Sequence, residues 1–177
     1  MVEEKIMDEL LIVVDMQHDF IDGSLGTTQA QAILPKVRNK IENFKGNIIF
    51  TRDTHQKNYL TSQEGKNLPI EHCIEGTKGW QIHDQLSDLV SNFIIDKITF
   101  GSSTLPQYIL SIIKKPTKIT LIGLCTDICV ISNALLLKAF FPEIVIVVDA
   151  SCCAGVTNES HLTALKAMQA CQIQIME

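Results

Sequence analysis

At 177 residues, with 46% hydrophobic and 20% charged side chains, the chain is long enough to bury a core without staples and too apolar for disorder. Fifteen basic and twenty acidic residues give a net charge of -5 with no basic cluster, which argues against nucleic acid as a partner. The apolar runs fall far short of the ~20 residues of a membrane span, and MVEEKIMDEL carries acids where a signal peptide needs a basic and then an apolar segment, so a cytoplasmic protein is expected.

One domain over residues 1–177 is the expectation at this length. Along the chain, LLIVVD (10–15) is a continuous apolar run of the kind buried on both faces of a sheet, and it ends on Asp15. A helix is predicted from about 28 to 44, and NIIFTRD (47–53) repeats the pattern of an apolar strand ending in a carboxylate. Residues 54–79 are polar and rich in turn formers, too long for a plain connection and therefore a place to look for chemistry. A short helix near 80–90, a strand at 93–97, a helix over 104–113 and a strand at 118–124 follow. The remaining predictions are a helix from about 128 to 140, a strand at 143–149, a helix over 158–170 and a short strand at 172–176. This alternation predicts a three-layer α/β/α fold with a mostly parallel, doubly wound sheet of about six strands.

In such a sheet the ligand lies beyond the carboxyl ends of the strands, where Asp15, Asp53, Lys97 and the segment after Leu124 all fall. IGLCTDICV (122–130) places Cys129 in the first turn of a helix that follows a buried strand, where the helix terminus favours a thiolate. The six cysteines, at 73, 125, 129, 152, 153 and 171, show no zinc-ribbon spacing, and most are read as buried thiols. Asp15 and Lys97 end two other strands, so one edge of the sheet can gather a carboxylate, an ammonium and a thiol. The ammonium would lower the thiol pKa and the carboxylate would carry a proton to a leaving amine. Asp53 and His55, two apart at a strand end, can point the same way, and Glu64 and His72 follow in the polar loop. Together they would suit Zn, Mn or Fe.

The segments LLIVVDMQHDF (10–20), DKITFGSS (96–103) and GLCTDICV (123–130) resemble, in order and spacing, the three motifs of isochorismatase-like cysteine hydrolases. TDxCV is the most specific of them. The resemblance implies Asp15 as general acid and base, Lys97 as stabiliser and Cys129 as nucleophile. It also implies a cis peptide at Leu124-Cys125, with the N–H groups of Cys125 and Cys129 as an oxyanion hole. RDTH (52–55) and EHCIEGTKGW (71–80) are similar to the metal-binding segments of the nicotinamidase/pyrazinamidase branch. They imply Asp53, His55, Glu64 and His72 around a divalent metal, Zn first with Fe or Mn as alternatives.

That branch acts on a small amide, in NAD salvage, and the resemblance places Phe20, Phe100 and Leu124 about the substrate. It also allows a homo-oligomer. One departure is NLPIEHC, where Leu68 and Pro69 stand in place of the aromatic and Pro-Pro-His context of many nicotinamidases. Three other readings stay open at this level: a different amidase or ureidohydrolase of the superfamily, a vinyl-ether hydrolase, and a non-catalytic binding member. His18, His83 and His161 take no role beyond surface or structural ones.

Overall fold

The apolar runs become six strands, β1 (Glu9–Val14), β2 (Asn47–Asp53), β3 (Ile94–Lys97), β4 (Lys118–Leu124), β5 (Val145–Ala154) and β6 (Gln174–Met176). In the computed structural model, which describes residues 8–177, they form one all-parallel sheet in the order β3-β2-β1-β4-β5-β6. The first seven residues of the acidic stretch read as no signal peptide lie outside the described ones. No described helix is long and apolar enough to cross a membrane.

Among the described residues six α-helices accompany the sheet: α1 (His18–Ile21), α2 (Thr28–Asn43), α3 (Gln63–Asn67), α4 (Leu105–Ile112), α5 (Ile131–Phe140) and α6 (Asn158–Ala170). Strand β1 shows why they lie on both sides. Leu10, Ile12 and Val14 enter one core with residues of α4, α5 and α6, while Leu11 and Val13 enter another with residues of α1 and α2. All five are wholly buried, which is why this strand reads as an unbroken apolar run and not as an alternation. Side chains at the helix starts stop the chain fraying there: Thr27 accepts the Ala30 N–H at 3.0 Å, and Thr157 and Ser160 form a capping box before α6.

Several elements differ from the sequence expectation. Strand β5 runs on to Ala154 because ASCCA keeps pairing with β4 past a register shift between Leu121 and Gly123. The 80–90 segment is a 3-10 helix over Asp84–Leu89, in which the period-three pair Leu86 and Leu89 faces the core. The helix expected from 128 starts two residues earlier, as a π turn over Thr126–Val130. The polar loop contains a 3-10 turn (Tyr59–Thr61) and α3, and short α1 was not expected at all.

Strands β1 and β4 are neighbours whose following helices lie on opposite faces, so the crevice of a doubly wound sheet opens between their carboxyl ends. Gly123 lets them meet. Its φ is +114°, and a Cβ there would be driven into the Val14 carbonyl. Gly123→Ala is expected to lower the unfolding free energy by about 2–5 kcal/mol, measured by urea denaturation, because it adds overpacking to backbone strain. A loss below ~1 kcal/mol would mean that the strands separate easily here.

Candidate active site

The ends of β1, β2, β3 and β4 each deliver one side chain to the crevice. Asp15 sits one residue past β1 at φ +48°, a left-handed conformation that aspartate tolerates better than most residues. Thr51, in the neighbouring strand, holds it: the Thr51 hydroxyl donates to Asp15 Oδ1 at 2.6 Å, and Asp15 N–H donates to Thr51 O at 3.2 Å. Lys97 closes β3 and is the register partner of Asp53 in β2, which puts their side chains on the same face. Cys129 comes from the π turn after β4. Ile128 and Val130 N–H both bond Cys125 O there, at 3.1 and 3.0 Å, and Leu124-Cys125 is a cis peptide.

The Lys97 ammonium is the hub. Its Nζ lies 2.6 Å from Asp15 Oδ2, 3.3 Å from Asp53 Oδ1 and 3.6 Å from Cys129 Sγ, and it also donates to Thr99 O at 3.2 Å. Asp15, Lys97 and Cys129 are all buried. Burial opposes the charge on Lys97, but the Asp15 and Asp53 carboxylates outweigh it and keep the ammonium protonated well above its ordinary range. Burial likewise raises the Asp15 pKa, with Lys97 pulling it back.

The thiol departs from the sequence expectation. Burial, with Asp15 beside it, pushes the Cys129 pKa well up and prevails over Lys97, so the sulfur rests protonated. A base is therefore needed to make the nucleophile. Asp15 is the carboxylate in place for that proton.

Next to the hub, Asp53, His55, Glu64 and His72 converge so that one ligand atom from each lies within 4.8 Å of the others. His55 Nε2 is 2.9 Å from Asp53 Oδ2 and 3.5 Å from Glu64 Oε1, and His72 Nε2 is 3.6 Å from each of the same two atoms. Burial disfavours charge on the imidazoles, yet the two carboxylates hold both histidine pKa values at about 9. Burial also opposes ionisation of Glu64, and the histidines hold its pKa at about 2.

Two carboxylates and two imidazolium protons thus balance, and a divalent cation with neutral imidazoles would balance the same charge. The tautomer agrees, since His72 Nδ1–H donates to Ile70 O at 2.8 Å and leaves Nε2 for an ion. The donor set fits a borderline divalent metal.

Several residues that the sequence did not single out set this geometry. Gln17, wholly buried, accepts the Asp53 N–H at 2.7 Å and donates to Asp53 O and Trp80 O, both at 2.8 Å. Asn133 in α5 donates to Cys129 O at 2.8 Å and Phe100 O at 3.1 Å, and accepts from Ser102 N–H at 2.9 Å. Tyr59 packs its ring against His55 and His72, at 4.7 and 5.0 Å between centroids. His161, read as without a role, pairs its Nδ1 with the buried Thr126 hydroxyl at 2.8 Å, beside the turn that carries Cys129.

Of the residues expected about a substrate, Phe20 is buried with its ring 5.6 Å from that of His72, and Leu124 is buried before the cis peptide. Phe100 is 41% exposed.

Residues 9–177 match the family model described as the Isochorismatase domain. The chain is 26% identical to the nicotinamidase of Schizosaccharomyces pombe, over 94% of this chain and 91% of that one. Among solved structures, the pyrazinamidase of Pyrococcus horikoshii in complex with zinc is similar at TM-score 0.80 and 28% identity, covering 96% of this chain and 99% of that one. The nicotinamidase of Bacillus subtilis is similar at TM-score 0.77 and 26% identity, covering 97% and 100%.

Proposed function

The chain belongs to the isochorismatase domain family, and within it we propose an amidohydrolase that converts nicotinamide and water to nicotinate and ammonia. One observation carries the reading. Lys97 bridges two groups, touching Asp15 and Cys129 on one side and Asp53 of the metal-ligand quartet on the other. A nucleophile set built against a divalent-metal site suits a planar amide whose ring bears a second donor atom. The nicotinamidase and pyrazinamidase relatives support that choice of substrate.

In this reading Asp15 takes the proton of Cys129 as the sulfur attacks the carboxamide carbon. The N–H groups of Cys125 and Cys129 receive the oxygen that becomes negative. Asp15 returns the proton to the departing nitrogen, which leaves as ammonia, and a thioester on Cys129 remains. Asp15 then activates a water that hydrolyses the thioester, restoring thiol and carboxylate. Lys97 stays charged throughout and offsets whichever of Asp15 and Cys129 is anionic. Phe20, Leu124 and Phe100 bound the ring. Asp53, His55, Glu64 and His72 would hold the metal, zinc in the first instance, which supplies a Lewis-acid anchor for the ring nitrogen.

Purified protein is expected to release ammonia from nicotinamide and to contain about one equivalent of divalent metal by elemental analysis. Stripping with a chelator should abolish turnover, and Zn2+ should restore it. Absence of nicotinamide turnover in metal-loaded protein, with hydrolysis of a non-aromatic amide instead, would move the chain to another amidase of the family. Turnover unaffected by the chelator would remove the metal from the reading.

A further inference from the structure

Among the described residues a second group of metal-ligating side chains converges, with its ligand atoms within 4.8 Å of one another: His18, Asp22 and His83. It lies apart from the quartet. His18 opens α1 and Asp22 follows its last residue, so the two are one helical turn apart on the same side. His83 arrives just ahead of the 3-10 helix, tied down by its own N–H to Met16 O at 2.9 Å and by His18 N–H to Gln81 O at 3.1 Å.

The Asp22 carboxylate lies between the two rings, Oδ1 at 3.0 Å from His18 Nδ1 and Oδ2 at 3.3 Å from His83 Nε2. The rings stack at 4.5 Å between centroids. Both histidines are more than nine-tenths buried, whereas Asp22 is exposed. The nitrogen donors are therefore fixed in place, and the carboxylate side is open to an arriving ion.

We propose that His18 Nδ1, His83 Nε2 and the Asp22 carboxylate form a second, weaker site for a borderline divalent cation of the Zn2+ and Co2+ type, with water completing the shell. Two imidazoles and a carboxylate are a donor set that such ions accept.

What lies behind the ligands sets the order of affinity. A ligating histidine needs its other nitrogen protonated and facing an acceptor. His18 has one, because its Nε2 is 3.3 Å from Asp84 Oδ1, although the Asp84 N–H also approaches at 3.3 Å and must give way. His83 has none in place, because its Nδ1 accepts the Gln85 N–H at 3.2 Å, and metal binding at Nε2 gives up that bond. The four-ligand site makes no such sacrifice at His72, and it offers a second carboxylate. An ion at the second site would staple α1, which follows directly on the Asp15–Gln17 segment, to the chain entering the 3-10 helix.

The test is a titration of chelator-stripped protein with Co2+ and with Zn2+ against a chromophoric chelator at neutral pH. Two classes of binding are expected, the second weaker by roughly tenfold or more. His18→Asn and Asp22→Asn should each remove only the weaker class, and His72→Ala only the tighter one. Melting curves in excess chelator show whether each variant folds, and the exposed, isosteric Asp22→Asn carries the test if His18→Asn does not fold. A single equivalent in the wild type, or a weaker class that survives Asp22→Asn, overturns the proposal. Because the readout is ion binding, the result is independent of whether nicotinamide is the substrate.

Discussion

Cys129→Ala is expected to lower nicotinamide turnover by about 10⁴-fold or more while leaving the protein folded and able to bind metal. The size of the effect follows from the chemistry. Without the sulfur there is no covalent intermediate, and removal of a nucleophile from a concerted set typically costs several orders of magnitude. The structure adds that nothing nearby substitutes for it. The other cysteine of the turn, Cys125, is only partly buried, and burial with Asp127 beside it holds its thiol pKa at about 12. It belongs to the site through its backbone. The loss should appear in kcat, measured as ammonia release, with urea denaturation and metal content close to wild type. Retention of turnover within about tenfold of wild type would remove Cys129 from the mechanism.

Lys97→Ala is expected to damage fold and chemistry together, lowering the unfolding free energy by about 3–5 kcal/mol and abolishing turnover. Asp15 is wholly buried, and with the ammonium gone its charge would be left to neutral donors, the Thr51 hydroxyl and the Cys129 thiol. Asp53 would also lose a partner, although the histidines keep it satisfied. Leaving one charge of a buried pair uncompensated is the expensive outcome, whereas removing both charges is often close to neutral. The double variant Asp15→Asn/Lys97→Met should therefore recover most of the stability and none of the activity. Denaturation curves for the two proteins, compared with turnover, separate the electrostatic cost from the catalytic one. A single variant destabilised by less than ~1 kcal/mol would show that the Asp15 charge is already offset elsewhere.

Much of this was legible in the sequence, and for a physical reason. A strand buried on both faces has to be apolar throughout, so Asp15, Asp53 and Lys97 stand out as the polar residues that end such runs. Their meeting at one edge follows from a parallel sheet. The expected ligands Asp53, His55, Glu64 and His72 do come together in space, and the alternation of strands and helices was readable as three layers. What stayed hidden depends on contacts between distant positions. Gln17 reaches Asp53 and Trp80 across 36 and 63 residues, and His161 reaches Thr126 across 35. Each is an ordinary polar residue until the fold brings its partner close.

The influences on the Cys129 thiol are hidden for the same reason. The local feature, a helix start, favours a thiolate, whereas full burial with Asp15 alongside pulls the thiol pKa up. Strand β5 was cut short because ASCCA has no strongly apolar pattern, and it takes its strand form from pairing beyond a register shift in its neighbour.

The position of β3 has a consequence for how the protein would fail. This strand is four residues long, forms one edge of the sheet and pairs on one side only, yet its last residue is Lys97. Edge elements open locally at a lower free-energy cost than the central strands, which separate only when the whole domain unfolds. Under heat or mild denaturant the ammonium would leave Asp15 and Cys129 while β1 and β4 are still paired. The protein would then fall silent as a catalyst while its central strands still read as native.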